Sequence, residues 1–446
     1  MKSFENGLQS IVLVVHFFVV KIHNFILTIP GKDLTLLTLL NNRNSTMMKK
    51  TFLLSLFLSL SVWVSGNEPN KSFMSTTPDW NKMADGMVQA LIDNFWGAKF
   101  EGHPNRYYFN YKSHQADLTT GHYWPQAHAM DVIVDAYMRT QKQEYRDIYP
   151  LWWLGAPTYN FARKSKGAWW NPYVDDMEWM ALAQIRMFES TGNRIYISKA
   201  REIYDDWIWT TWGPEDEAPW YGGITWKTDV NKSKNACSNG PAAIIAARIY
   251  RFYDKAGFVH GKGKDAYLEE ALKIYGWLKK HLFNATTGAV SDNMNMKGRI
   301  DPAVYTYNQG TFIGAAYELY LITGEKQYMD DAVKAAGYVM NKMTRANQGV
   351  LSDAPGGDGG LFHGIFFRYF VKLANEKSLP ADTRKEFHQF LTHQATVMAT
   401  EGINPNTMLY GGKWREAPAD DAPVSLTAHL SGCMLMEAMC VLEPME

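Results

Sequence analysis

The chain has 446 residues, 46% of them hydrophobic, and its 45 basic and 45 acidic side chains cancel to zero formal charge. That is enough apolar material for a sizeable core, and the charge balance argues against an electrostatic nucleic-acid binder, which carries a basic face. Three cysteines build no disulfide framework in a chain this long, and no zinc, phosphate-loop or calcium-loop spacing occurs, so neither metal nor cofactor is expected.

At the amino-terminal side, Met48-Lys49-Lys50 leads an apolar run to Val64, closed by the small residues Ser65 and Gly66. This has the form of a secretory signal, too short for a comfortable membrane span and with no following Cys for a lipid anchor. Residues 1–46 are then expected to lie upstream of the true start at Met47 or Met48, 47–66 to be a removed leader, and 67–446 to be one domain. The rival reading, a membrane segment at Ile11–Val20, is interrupted by Lys21, His23 and Asn24. The mature chain is expected to be a monomer without a membrane span, secreted or periplasmic.

Beyond the leader, helical periodicity recurs without long strand-like alternation. It predicts twelve helices, at 79–96, 126–140, 143–154, 175–191, 194–208, 239–254, 265–281, 308–323, 325–344, 361–375, 381–400 and 424–441. A degenerate repeat marks the junctions: Thr191-Gly192-Asn193-Arg194-Ile195-Tyr196 resembles Thr323-Gly324-Glu325-Lys326-Gln327-Tyr328, with Gly263-Lys264-Asp265-Ala266-Tyr267 a looser copy. Each is expected to stop one helix at Gly and start the next. Long loops at 97–125, 155–174, 209–238, 282–307, 345–360 and 401–423 all precede even-numbered helices, which are also the more apolar set. Alternating outer and inner helices with every long loop on one face describe an all-α (α/α)6 toroid of six hairpins, its site where the inner helices begin. An open superhelical solenoid is the structural alternative.

Four adjacent aspartate pairs occur, at 175–176, 205–206, 330–331 and 420–421, and an acid pair is more often a helix cap or a solvated face than a catalyst. Only Asp175-Asp176 starts a predicted inner helix, just after the aromatic loop that holds Trp169 and Trp170. Aromatic faces stack on sugars and paired carboxylates cleave the bonds between them, which points to a glycoside hydrolase. Other inner-helix starts supply candidate substrate contacts: Trp124, Gln126 and His128; Asn239, which could simply cap its helix; Tyr307 and Gln309; His363 and Arg368. For His128 a core histidine satisfied by backbone is an equal reading, and for Arg368 an ion pair in the barrel wall is favoured. Trp169, Trp170, Tyr173, Trp226 and Trp414 form the stacking set, of which two or three are expected to line a cleft.

The segments Asp175-Asp176-Met177-Glu178-Trp179-Met180-Ala181-Leu182-Ala183, Gly222-Gly223-Ile224-Thr225-Trp226, Ser238-Asn239-Gly240-Pro241-Ala242-Ala243, Tyr307-Asn308-Gln309-Gly310 and Gly364-Ile365-Phe366-Phe367-Arg368-Tyr369 resemble, in order, the motifs of glycoside hydrolase family 76, the endo-α-1,6-mannanases. The resemblance implies an (α/α)6 barrel, an α-1,6-mannan substrate and a retaining mechanism, with Asp175 as nucleophile and Asp176 as general acid/base. A mannan transglycosylase on the same fold, or a secreted glycan-binding helical-repeat protein without catalysis, are the competing functions.

Overall fold

The computed structural model describes residues 78–97, 123–219, 221–229 and 232–445, with short strand pairings at 28–33 and 110–117. The expected leader and upstream segment lie outside the described residues, apart from the antiparallel pair β1 (Thr28–Ile29) and β2 (Lys32–Asp33). A second antiparallel pair, β3 (Asn110–Lys112) and β4 (Gln115–Asp117), falls in the first long loop.

Twelve long helices follow within the compact unit Thr77–Glu446. They are α1 (Trp80–Phe95), α2 (Tyr123–Thr140), α3 (Gln143–Gly155), α4 (Val174–Thr191), α5 (Arg194–Ile203), α6 (Ala236–Ala256), α7 (Lys264–His281), α8 (Thr306–Thr323), α9 (Lys326–Tyr338), α10 (Gly359–Ala374), α11 (Ala381–Val397) and α12 (Leu426–Val441). The two clearest copies of the repeat do stop helices. Gly192 and Gly324 both adopt φ 70°, a left-handed turn that costs glycine little, and the preceding threonine hydroxyl accepts from the amide that follows. The third copy is different: Gly263 caps the start of α7 in an extended conformation, and the left-handed stop of α6 falls earlier, at Gly257. The predicted helices at 194–208, 325–344 and 381–400 end instead in wider π turns, Tyr204–Ile208, Val339–Met343 and Met398–Gly402. The wider turn brings Tyr204, Ile208, Val339 and Met398 into the core as each outer helix enters a long loop.

The even-numbered helices form a closed ring. Each packs on the next, and α12 packs back on α2, which distinguishes the toroid from an open solenoid. The odd-numbered helices lie outside, and α1 packs chiefly on α12, sealing the junction. Small residues let inner helices approach closely: a Cβ on Gly310 of α8 would stand 2.6 Å from the Phe366 Cα of α10. In α6 every residue from Ala236 to Ile249 is buried, the mark of a helix covered on all sides.

The two ends of this ring differ. Its carboxyl-terminal half is cross-linked by ions: Arg186 of α4 pairs with Asp131 and Asp135 of α2, Arg139 of α2 with Glu437 of α12, and Arg248 of α6 with Glu318 of α8 at 2.7 Å. Arg368 of α10 reaches Asp135 at 2.8 Å and Asp131 at 3.8 Å, joining helices that are not neighbours in the ring. The amino-terminal half faces the long loops. There β5 (Lys234–Asn235), β6 (Asn293–Met294) and β7 (Ile300–Asp301) form a small antiparallel sheet that ties the loop before α6 to the loop before α8.

Candidate active site

The loop before α4 is fixed by its own side chains. Asn171 Oδ1 accepts from the Tyr173 amide at 2.9 Å, and its Nδ2 donates to Asn160 Oδ1 at 3.1 Å. The Val174 amide, one of the helix-start donors without an intrahelical partner, donates to the Trp226 carbonyl at 2.8 Å. This bond sets the first turn of α4, and with it Asp175 and Asp176, against the Trp226 loop.

Both aspartates border a cavity of about 930 Å³ at the amino-terminal end of the ring. Tyr173 and Trp226, edge to face with centroids 5.2 Å apart, come from the loops before α4 and α6. Tyr307 and Phe362, stacked at 4.0 Å, come with Tyr305 from around the starts of α8 and α10. Polar groups complete the wall. Asp292 accepts from Asn308 Nδ2 and Asn293 Nδ2, and Asp358 accepts from the Trp124 indole at 3.1 Å.

The two catalytic candidates sit in unequal surroundings. Burial raises the Asp175 carboxyl to about 7, opposed by the hydrogen bond from the Cys237 thiol at 3.4 Å and by the nearby amides of residues 175 and 176 and the Trp226 indole. Burial raises Asp176 well above its ordinary value, and the charges of Asp175 and Asp358 push the same way, with no such set of donors opposing them. Asp176 is therefore the tighter holder of a proton. One turn on, Glu178 is fully buried with both carboxyl oxygens unpartnered, and burial followed by the Asp175 charge raises it too.

Of the residues singled out in the sequence, Trp124, Tyr173, Asp175, Asp176, Trp226 and Tyr307 border the cavity. The others do not. Gln309 is a clasp: its Oε1 accepts from the Val290 amide, and its Nε2 donates to the carbonyls of Gly288 and Ala335. Asn239 clasps both polar groups of the Ile224 backbone and the Asn235 carbonyl, leaving nothing for a sugar. His363 is satisfied by Thr306 and the Ser352 carbonyl, and Trp414 donates to that same carbonyl while buried against Phe367. Arg368 belongs to the ionic end. Trp169 packs on Trp152 and Trp153, and Trp170 lies under Lys166 with its carbonyl held by Asn160. Gln126 and His128 are buried in α2, where His128 lies against Trp179 and burial lowers its pKa to about 3. The residue-level reading missed Asp292, Asn293, Asn295, Tyr305, Asp358 and Phe362. None of them stands out in the sequence, and Asp358 lies in the Gly-rich stretch at 353–360 that reads as open loop. All three cysteines are free.

Residues 79–446 match the model of Glycosyl hydrolase family 76. The chain belongs to this family. Family 76 membership makes it a glycoside hydrolase, and related solved structures share its toroid. An inactive variant of the α-1,6-mannanase of Salegentibacter sp. HEL1_6, with two consecutive aspartates replaced by alanine and α-1,6-mannotetrose bound, is 34% identical, with 82% of this chain and 100% of that one aligned at a TM-score of 0.72. A protein of Listeria innocua is 30% identical over 80% of this chain and 96% of its own, at a TM-score of 0.69. A family 76 mannosidase of Bacteroides thetaiotaomicron, 18% identical over 81% of this chain and 98% of its own at a TM-score of 0.64, shares the fold. Comparison with curated proteins gave no match. Among the described residues, no helix is long and apolar enough to cross a membrane.

Proposed function

We propose that this family 76 chain is a secreted, retaining, endo-acting hydrolase of α-1,6-linked mannan. The observation that carries the reading is the pair Asp175 and Asp176 at one cavity wall, one carboxyl facing several polar donors and its neighbour none of them. In the first step Asp175 attacks the anomeric carbon while Asp176 gives its proton to the departing glycosidic oxygen. In the second, Asp176 takes a proton from water, whose oxygen displaces Asp175 and restores the original anomeric configuration. The Salegentibacter enzyme supports the assignment, since its inactive form lacks two consecutive aspartates and holds a mannotetrose. Aromatic groups from separate loops suit a polymer lying across the cavity, stacked on more than one sugar.

Linear α-1,6-mannan incubated with the protein is expected to yield short oligosaccharides of α configuration. Products longer than the starting chains would assign transfer in place of hydrolysis, and binding without cleavage would remove the enzyme reading. The pH profile of kcat/KM follows from the signs above. Asp175 attacks only when ionised, so activity should fall as pH drops below about 7. Asp176 must hold a proton, so activity should fall again on the alkaline side. A profile flat from acid to neutral pH would contradict the role given to Asp175.

A further inference from the structure

Cys237 opens α6 on the cavity wall, nearly buried, with its Sγ 3.4 Å from Asp175 Oδ2. The Tyr307 hydroxyl, at the start of α8, lies near the same sulfur. We infer that Cys237 is a positioning residue for the nucleophile: its S–H donates to Asp175 Oδ2, and this bond orients the attacking carboxylate and favours its ionised form. The inference rests on the function proposed above for Asp175.

The thiol remains a donor because burial and the nearby charges of Asp175 and Asp292 push its own pKa far up, so it stays protonated over the working range. A thiol donates weakly in water, but a hydrogen bond in the low dielectric of a buried site is electrostatically stronger. Other groups facing Asp175 are Asp176 and Glu178 on α4, the Trp226 indole and Tyr307 on α8, while Asp292, before α8, faces Cys237 and Tyr307. Asp358, before α10, acts on Asp176. Lys227 lies over the Tyr173 ring, paired with Asp229. The side chain that hydrogen-bonds to Asp175 is thus Cys237, and it can be altered without removing an aromatic face.

The test compares wild type, Cys237→Ala and Cys237→Ser, each first verified by thermal melting and near-ultraviolet circular dichroism. The Asp175 carboxyl is titrated by carboxyl-carbon NMR, assigned with Asp175→Asn, and the acid limb of kcat/KM on α-1,6-mannan is recorded alongside. Alanine removes a donor to the carboxylate, so titration and limb should both move up by about half a pH unit or more. Serine, a stronger donor, should bring both back to or below the wild-type position. A purely structural role would lower the melting temperature without moving either curve. Identical titrations in all three folded proteins would overturn the inference, and so would serine behaving as alanine does. If no protein turns over mannan, the proposed activity fails, while the NMR titration still decides whether Cys237 acts on Asp175.

Discussion

Asparagine at position 175 or 176 is expected to stop turnover of α-1,6-mannan while leaving the fold at least as stable as before. An amide at 175 cannot form the covalent intermediate. An amide at 176 cannot give its proton to the leaving oxygen, and loss of a general acid alone costs about 10²–10⁴ in rate. The two variants separate by substrate. An aryl mannoside with an acidic phenol leaves without help, so Asp176→Asn should recover its first step there and Asp175→Asn should not. Stability moves the other way. Both carboxyls titrate above their unfolded values, so their contribution to stability is complete below about pH 4 and lost as pH rises through the folded pKa, near 7 for Asp175. At neutral pH the native protein bears the cost of two close, desolvated acids, which asparagine removes. Both variants should melt at or above the wild-type temperature near pH 7. Retained mannan cleavage in either folded variant would strike the pair from the mechanism.

The second large effect lies at the opposite end of the ring. Glu318→Ala is expected to destabilise the protein by about 3–5 kcal/mol in urea unfolding, because removing one member of a buried ion cluster leaves the other charges uncompensated. Glu318 is 2% exposed and accepts from Arg248 and Arg251, with Lys372 at 3.9 Å. Burial alone would raise its carboxyl, but Arg248, Lys372 and Arg251 outweigh that and hold it at about 2. A depressed folded pKa stabilises the protein above the unfolded value, near pH 4.5, and that contribution disappears as pH falls toward 2. The gap between wild type and variant should therefore be widest at neutral pH and close under acid. An unchanged urea midpoint at pH 7 would show that the cluster adds nothing.

Much of this architecture can be read from the chain. Glycine stops at 192 and 324, small apolar stretches in α6 and α8, and long loops on alternate connections place twelve helices and separate inner from outer. Asp175-Asp176 stands apart from the other acid pairs only through that placement. Substrate contacts are less legible because one residue type serves two ends. Gln309 and Asn239 are polar groups at inner-helix starts, as a sugar contact would be, yet both tie down loop backbone. The wall at Asn235, Asp292 and Asn293 depends on strands only two residues long, whose pairing across more than fifty residues leaves no periodic trace. Asp358 sits in a Gly-rich stretch that reads as open loop until its contact with Trp124 is seen.

The bridge from Arg368 to Asp131 and Asp135 gives the ring a floor. On the function proposed, a polysaccharide cannot thread through like a string through a bead; it settles sideways onto the mouth, and both fragments depart by the route of entry. Repeated cuts on one strand would then require sliding along that mouth, so loop-to-loop spacing, not bore width, governs how far apart successive cleavages fall.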